Sequence, residues 1–233
     1  MQEDKIGIII QARMGSTRLP GKILKKIGNK TLLEHIFYRL NILKHSVSIV
    51  LATSTSSNDD QVEEFCKNNG IEFFRGSESN VLERYYLCAG KYQFDHIIRL
   101  TGDNPFPDIE ELDNLIDLHI NTNSDYSNSF ENLPVGAGAE IFTFRALEKS
   151  YYDGKQPHHL EHVDEYMLEN PKLFKTSVLS VPCIKNRNDI RLTVDTLDDY
   201  DKAVYTVQNS KDEYIQITEA IKLSEIYEKG LCK

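Results

Sequence analysis

The sequence predicts an α/β fold in which a Rossmann-like mixed sheet, mainly parallel, is sandwiched between layers of helices. Two observations carry the prediction. Short apolar runs alternate with amphipathic helical patterns through the first half of the chain, and this alternation is typical of parallel strands joined by right-handed helical crossovers. The chain also has 233 residues, of which 40% are hydrophobic, enough for a single domain over residues 1–233 to bury a sizeable core.

Each element of the first half follows from its local pattern. Residues 6–10 form an apolar run, as in a strand that is buried on both faces of a parallel sheet. The next segment places apolar residues on one helical face and opens with Thr31 and Glu34, which have the spacing of a capping box. In order, the pattern predicts a strand at 6–11, a helix at 31–43, a strand at 47–53, a helix at 58–69, a strand at 71–75, a helix at 80–92 and a strand at 96–101.

The second half of the chain is less regular. After Asp108 the pattern predicts a helix at 109–120, a strand near 125–129, a turn at 134–138 and a strand at 139–144. We expect this middle region to project from the sheet as a hairpin arm. No internal repeat or long Pro/Gly/Ser linker divides the sequence, so one domain is the simplest interpretation.

The composition excludes several classes of protein. The formal net charge of −9 argues against a general nucleic-acid binder, which needs a broad basic surface. The four cysteines are widely separated and form no Cys-x-x-Cys pair, which favours reduced thiols over a disulfide framework or a zinc site. The sequence shows no secretory apolar region and no run long enough to span a membrane. We therefore expect a soluble, cytoplasmic protein that binds neither nucleic acid nor membranes.

A basic loop follows the first predicted strand directly. It brings Arg13, Arg18 and Lys22 within ten positions of one another. Gly15 lets backbone amides approach an anion, and Ser16 adds a hydroxyl donor. Guanidinium groups bind phosphate through two parallel hydrogen bonds, so we interpret the loop as a grip for a nucleotide triphosphate. The alternative is a solvated basic loop. The loop has neither the P-loop ending nor the Gly-x-Gly-x-x-Gly pattern.

Polar motifs also follow the other predicted strands of the first half. They are Thr53-Ser54, Arg75-Gly76 and Thr101-Gly102-Asp103. Because ligands of parallel α/β sheets bind beyond the carboxyl ends of the strands, we expect these motifs and the basic loop to meet at one edge of the sheet.

Two aspartates are candidate ligands for Mg²⁺. Asp103 follows a strand and a glycine, and Mg²⁺ is typically held by one or two carboxylates together with substrate phosphates. Read alone, this segment is also an ordinary β-turn. Asp195 ends a second predicted strand, at 190–195, just before a helix. There the alternative is that Asp195 or Thr196 only caps that helix.

The twelve residues from Gln11 to Lys22, QARMGSTRLPGK, resemble the opening motif of the cytidylyltransferase family. That family, which includes CMP-Kdo and CMP-sialic acid synthetases, activates acidic sugars as CMP conjugates. The residues of the motif are most similar to those of the SpsF-type branch of spore coat polysaccharide proteins. The resemblance implies a nucleotidyltransferase architecture of the GT-A-like kind.

The resemblance also implies roles for the residues of the candidate site. The segment VDTLDD at 194–199 looks like the family's Val-Asp-Thr-x-x-Asp motif, which implies that Asp195 and Asp103 hold Mg²⁺ together. Arg13, Arg18 and Lys22 are then the expected catalytic residues. The expected nucleotide-binding residues are Ala12, Arg13, Gly15, Ser16, Arg18, Lys22, Thr53, Ser54, Thr101 and Gly102.

Three residues are expected to bind the acceptor, because the segments around them resemble family motifs. They are Arg75, Glu140 and His162. The chain departs from many relatives at Asn80, Gly138 and Leu160, which indicates an unusual acceptor. His158 and His162 would also share a helix face and suit zinc, but the segment offers no cysteine. Ordinary helix-start histidines are the third interpretation of this group.

Taken together, the residues and the resemblance predict a Mg²⁺-dependent cytidylyltransferase. It would transfer CMP from CTP to an acidic sugar or a related acceptor, release pyrophosphate and serve the synthesis of surface polysaccharide precursors. One alternative is transfer to a phosphorylated acceptor, which gives a CDP-linked or other NDP-linked product. Another is a non-catalytic, glycosyltransferase-like protein that binds a nucleotide. The resemblance further implies a homodimer formed through an arm at about residues 130–175.

Overall fold

The computed structural model describes residues 4–231. Residues 1–3, in the charged N-terminal segment, and Cys232 therefore lie outside the described residues. The strands are β1 (Ile6–Gln11), β2 (Lys26–Ile27), β3 (Lys30–Thr31), β4 (Ser48–Ser54), β5 (Phe73–Gly76), β6 (His96–Thr101), β7 (Tyr126–Asn128), β8 (Glu140–Thr143) and β9 (Thr176–Val178). The α-helices are α1 (Leu32–Leu40), α2 (Asp60–Asn69), α3 (Val81–Tyr92), α4 (Ile109–Thr122), α5 (Phe144–Asp153), α6 (Pro157–Glu161), α7 (Glu165–Glu169), α8 (Leu197–Asn209) and α9 (Ile217–Leu231).

Seven of these strands form one mixed sheet, in the order β5-β4-β1-β6-β8-β7-β9. The first four strands are parallel to one another. Strand β8 runs antiparallel to both β6 and β7, and β9 pairs in parallel with β7. This arrangement confirms the predicted mixed, mainly parallel sheet. Strands β2 and β3 form a separate two-stranded antiparallel sheet.

The central strand β1 shows why the sheet has helices on both faces. Ile8 and Ile10 pack in a core cluster with residues of α1 and α4, whereas Ile9 packs in a second cluster with residues of α3, α5 and α7. Successive side chains of a strand point to opposite faces, and these isoleucines are fully buried. The continuous apolar run therefore has the burial expected of a parallel central strand.

A third core cluster joins the basic loop to the C-terminal part of the chain. Leu19 of the loop and Ile27 pack with Leu192 and Val194, and residues of α8 and α9 complete the cluster. This packing brings the segment that carries Asp195 next to a loop more than 170 positions earlier.

Several local predictions need correction. The capping box at Thr31 and Glu34 is present, but α1 ends at Leu40, not at residue 43. The predicted hairpin arm is part of the main sheet, because β8 pairs with both β6 and β7. The strand predicted at 190–195 is reduced to one isolated bridge between Val135 and Arg191.

Among residues 4–231, no helix is long and apolar enough to cross a membrane.

Candidate active site

A cavity of about 740 Å³ lies at the carboxyl ends of β1 and β6. Its wall contains eleven of the residues that the sequence singles out. They are Ala12, Arg13, Gly15, Ser16, Arg18, Lys22, Thr101, Gly102, Asp103, His162 and Asp195. The basic loop, the turn after β6 and the segment before α8 therefore meet at one edge of the sheet.

The basic loop is held in place by bonds to its own backbone and to a buried carboxylate. The amide of Gly21 donates to the carbonyl of Met14 over 3.1 Å, and Gly21 has a left-handed backbone with φ of 66° that favours glycine. Asp59, which is buried, accepts from the Met14 amide at 2.7 Å and from the Ser54 amide at 3.1 Å. Asp59 thereby fastens the loop to the end of β4.

Lys22 stands between the two predicted metal ligands. Its Nζ lies 3.0 Å from Oδ2 of Asp103 and 2.8 Å from Oδ1 of Asp195. The side chain of Lys22 is buried, and Nη2 of the exposed Arg18 lies 3.2 Å from the same Oδ1 of Asp195. Four residues from three distant segments of the sequence thus form one charged cluster.

The carboxylate of Asp195 is kept ionised by its neighbours. Burial by itself would raise its pKa, but Lys22, Arg191 and Arg18 lower the pKa below the usual aspartate value. Arg191 contributes through an Nη2 that lies 2.5 Å from Oδ2 of Asp195. The side chain of Thr196 caps α8, so the cap proposed for this segment and the carboxylate facing Lys22 are both present.

The turn that carries Asp103 is bonded to the segment that carries Asp195. The carbonyl of Asp103 accepts from the amide of Val194 at 2.9 Å, and the Thr101 hydroxyl donates to Oδ1 of Asp103 at 2.5 Å. A Cβ on Gly102 would lie 2.9 Å from the Cβ of Ala12, so the turn can approach the loop only with glycine there. These contacts fix the two aspartates relative to each other.

This donor set suits a magnesium ion. Oxygens of Asp103 and Asp195 lie within 3.0 Å of the same Nζ atom, so a single cation can contact both carboxylates. Hard carboxylate oxygens, completed by water and phosphate, are the ligands that Mg²⁺ prefers.

Two residues of the cavity wall carry buried polar atoms without partners in the described part of the chain. Within residues 4–231, Oε1 of Gln11, Oγ1 of Thr53, Nε of Arg99 and Oδ1 of Asn104 are buried and have no hydrogen-bond partner. Gln11 and Arg99 line the cavity. Buried polar groups are normally satisfied, so their presence here favours a bound polar ligand.

Thr53 and Ser54 lie behind the cavity wall. Both are fully buried, and neither contributes to the lining. The Ser54 hydroxyl donates to Asp59, the residue that fastens the basic loop. Thr53 and Ser54 thus lie outside the cavity wall, and their contact with a nucleotide stays a prediction.

Arg75 is not part of the cavity wall, and its predicted place on the acceptor side stays a prediction. Its Nη1 lies 2.7 Å from carboxylate oxygens of both Asp60 and Glu63. Its Nε and Nη2 donate to the carbonyls of Ser54 and Ser56 at 2.9 and 2.7 Å. The hydrogen bonds with Glu63 and Asp60 raise the pKa of Arg75, and the whole set of bonds holds α2 against the β4–β5 edge.

Glu140 is also absent from the cavity wall, but its partner lines it. The Glu140 side chain is fully buried, accepts from Nη1 of Arg99 at 2.6 Å and accepts from the Tyr126 hydroxyl at 2.8 Å. Burial opposes the charge on Arg99, yet Glu140 raises the pKa of the guanidinium above its ordinary value. Glu140 therefore faces the cavity only through its contact with Arg99, and its expected acceptor role stays a prediction.

Arg99 was missed by the sequence analysis, although a signal was available. It lies two positions before Thr101 on β6, and alternate residues of a strand share a face. The other lining residues that the sequence analysis did not assign to the site are Gln11, Thr17, Ile23, Glu78, Ser79, Val81, Pro157, Leu160 and Glu161. Most of them come from loops and a short helix, which carry no periodic signal.

The histidine group is not arranged as the zinc pair that was one interpretation of its sequence. His158 and His159 each place Nε2 within 2.8 Å of an oxygen of Glu169, whereas His162 lines the cavity. Nδ1 of His159 accepts from the Gln156 amide at 3.3 Å. This bond assigns the proton of neutral His159 to Nε2, which donates it to Glu169. The group therefore joins α6 to α7 and disfavours a metal at that nitrogen.

Comparisons with known proteins agree with this geometry. A family model described as cytidylyltransferase matches residues 7–230. The spore coat polysaccharide biosynthesis protein SpsF of Bacillus subtilis is 39% identical over 204 residues, which cover 84% of this chain and 85% of that protein.

Two solved structures extend the comparison to the fold. A cytidylyltransferase from Leptospira borgpetersenii superposes with a TM-score of 0.88 at 34% identity, covering 99% of this chain and 96% of that chain. A CMP:2-keto-3-deoxy-manno-octonic acid synthetase complexed with CTP superposes with a TM-score of 0.64 at 18% identity, covering 86% and 97%, and shows the shared fold alone. With a family model that spans almost its whole length, the chain belongs to the cytidylyltransferase family and is a nucleotidyltransferase.

Proposed function

We propose that this protein is a Mg²⁺-dependent cytidylyltransferase that transfers CMP from CTP to an acidic sugar and releases pyrophosphate. The observation that carries the proposal is the bridge of Lys22 between Asp103 and Asp195, at 3.0 and 2.8 Å, beneath a loop with two further cations. Phosphoryl and nucleotidyl transfer depend mainly on positioning and on stabilisation of charge, and this edge of the sheet supplies both.

The two sides of the cavity have separate tasks in this proposal. We call the part lined by the basic loop, Lys22, Asp103 and Asp195 the donor half. We call the part lined by Glu78, Ser79, Arg99, Pro157, Leu160, Glu161 and His162 the acceptor half. In the donor half Arg13, Arg18 and Lys22 bind the triphosphate, and the glycine-bearing turn lets backbone amides approach it.

Asp103 and Asp195 would hold the magnesium ion. When bound, Mg²⁺ neutralises charge on the phosphates as the α-phosphorus is attacked. The residues of the chain then have three tasks. Lys22 and Arg18, which face Asp195 in the structure, bind the phosphate oxygens and stabilise the charge that moves to pyrophosphate, while Arg191 keeps Asp195 oriented. The acceptor oxygen attacks from the acceptor half.

Relatives support the choice of substrates. SpsF is named for polysaccharide biosynthesis, and a structural neighbour is a CMP-sugar acid synthetase complexed with CTP. A sugar acid of a surface glycan is therefore the first acceptor to test. A homodimer is a further expectation, and light scattering would test it; a monomeric mass would contradict it.

The test is a pyrophosphate-release assay with CTP, GTP, UTP and ATP, each combined with sugar acids and with phosphorylated sugars. We expect turnover with CTP and a sugar acid, dependent on Mg²⁺. Asp103→Asn should lower kcat/KM by about 100-fold or more, because it removes a group that holds charge at the reacting centre. Asp198→Asn is the matched control, since Asp198 lies in the first turn of α8 and outside the cavity wall. No CTP turnover with any acceptor would contradict the proposal.

A further inference from the structure

Arg99 is a cation at the wall of the acceptor half, on the central part of the sheet. It belongs to β6, and its side chain is 16% exposed. Its neighbours Ile98 and Leu100 are buried in the core on the opposite face of the strand. Residues two apart on a strand are separated by about 7 Å. The backbone of Arg99 therefore lies about that far along β6 from Thr101, the last residue of the strand.

A buried carboxylate and a tyrosine hold this arginine from behind. Glu140 lies opposite Arg99 in the register of β6 and β8, accepts from its Nη1 at 2.6 Å and is itself fully buried. The Tyr126 hydroxyl donates to the other oxygen of Glu140 at 2.8 Å. A guanidinium anchored along one edge in this way has restricted freedom and presents its other donors in a defined direction.

Those other donors are not used inside the described part of the chain. Within residues 4–231, Glu140 is the one hydrogen-bond partner of Arg99, and its Nε is buried without a partner. Arg39 shows what a structural arginine does here. It is buried more deeply than Arg99, and its Nε and Nη1 donate to the carbonyls of Pro107 and Ile215 at 2.8 Å. Arg84 also has two buried donors without partners among the described residues, Nε and Nη2, but it does not line the cavity. Buried donors are normally satisfied, and Arg99 borders the cavity, so its free donors point to a ligand there.

We propose that Arg99 binds the carboxylate of the acceptor and that Glu140 is its positioning residue. The inference rests on the proposed function and names the residue that recognises the carboxylate of the acceptor. Arginine binds a planar carboxylate through two hydrogen bonds. Glu140 already balances one positive charge, and Glu78 and Glu161 line the same cavity, so the surroundings suit a single negative charge better than a doubly charged phosphate.

The experiment measures KM for each substrate in Arg99→Gln, Arg99→Lys and Glu140→Gln. The assay is pyrophosphate release with CTP and four acceptors: 3-deoxy-manno-octulosonate and N-acetylneuraminate as acids, glucose 1-phosphate and glycerol 3-phosphate as phosphates. Arg99→Gln should raise KM for the acid about 10- to 100-fold, as expected for a lost bond between charged groups. KM for CTP should change less than about threefold. Arg99→Lys keeps the positive charge but loses the two parallel donors of the guanidinium, so it should raise KM for the acid by less than Arg99→Gln does.

Two further variants separate positioning from folding. Glu140→Gln should raise KM for the acid while kcat at saturating acid stays within about threefold, whereas a merely structural defect would lower kcat and both affinities together. Arg187→Gln is the matched control, because Arg187 pairs with Asp189 and Glu225 outside the cavity wall. If Arg99→Gln does not fold, Arg99→Lys and the double change Arg99→Gln with Glu140→Gln carry the test.

Three results would overturn the inference, and they differ from one another. A raised KM for CTP with an unchanged KM for the acid would assign Arg99 to the nucleotide. Wild-type turnover with phosphorylated acceptors alone would make the carboxylate assignment wrong while leaving nucleotidyl transfer intact. No wild-type turnover with any of the four acceptors would contradict the proposed function itself, and the inference with it.

Discussion

The donor half and the acceptor half of the cavity are built in different ways. The donor half takes most of its cations from one contiguous loop, Arg13 to Lys22, that closes on two aspartates. The acceptor half collects single residues from β6, α6 and the loop before α3, and its arginine depends on a glutamate from another strand. A contiguous loop leaves a motif in the sequence, whereas an assembled surface does not.

The first prediction concerns Lys22 and has the largest expected effect. Lys22→Met should lower kcat/KM for CTP by about 100-fold or more, because it removes a buried cation from a site that stabilises moving charge. KM for the acceptor should change little. The measurement is pyrophosphate release at saturating Mg²⁺, and Lys25→Met, at an exposed position outside the cavity wall, is the control. A change confined to KM for the acceptor would break the division into two halves.

The second prediction concerns the stability of the fold at low pH and depends on the buried His119. His119 is fully buried between His96 of β6 and Ser127 of β7, and burial together with His96 lowers its pKa from 6.5 to about 3. The unfolded chain therefore takes up a proton below pH 6.5 that the folded chain resists. The free energy of unfolding should fall by about 1.4 kcal/mol per pH unit below 6.5 from this group.

Denaturant unfolding of the wild type and His119→Gln between pH 7 and pH 4.5 would measure this effect. The difference between the two curves isolates the histidine, because the other titrating groups are shared. The variant should lose stability less steeply as the pH falls. Parallel curves would show that His119 does not resist protonation. His35 of α1 has a lowered pKa too, but a bond to the Ile27 carbonyl opposes the effect of burial.

The fold was predictable from sequence wherever a pattern is local. The apolar run of β1 and the capping box of α1 depend on adjacent residues, and both are present as expected. The antiparallel insertion of β8 beside β6 depends on strand order, which no local pattern specifies. Arg99 and Glu140 lie 41 positions apart, so their pairing could not be predicted without that order.

The third prediction tests the anchor of the donor loop. Asp59 accepts from amides of both Met14 and Ser54, and an asparagine has one carboxamide oxygen with which to replace two acceptors. Asp59→Asn should therefore lower the free energy of unfolding by about 1 to 2 kcal/mol and raise KM for CTP by about tenfold. Glu64→Gln, on the exposed side of α2, is the control. An unchanged KM for CTP would show that the loop keeps its shape without the anchor.

The smallest effect on stability and on KM is expected from a substitution of Arg75. This prediction contrasts two arginines that lie near strand ends. Arg75 and Arg99 both lie on strands of the same sheet. Every donor nitrogen of Arg75, however, is paired with Asp60, Glu63 or a carbonyl. Partly exposed ion pairs contribute little, so Arg75→Gln should lower the free energy of unfolding by about 1 kcal/mol and leave both KM values unchanged. A raised KM for the acceptor would return Arg75 to the site. The two arginines thus differ in what they have left to donate, since the acidic residues of α2 satisfy Arg75 and Glu140 satisfies one edge of Arg99.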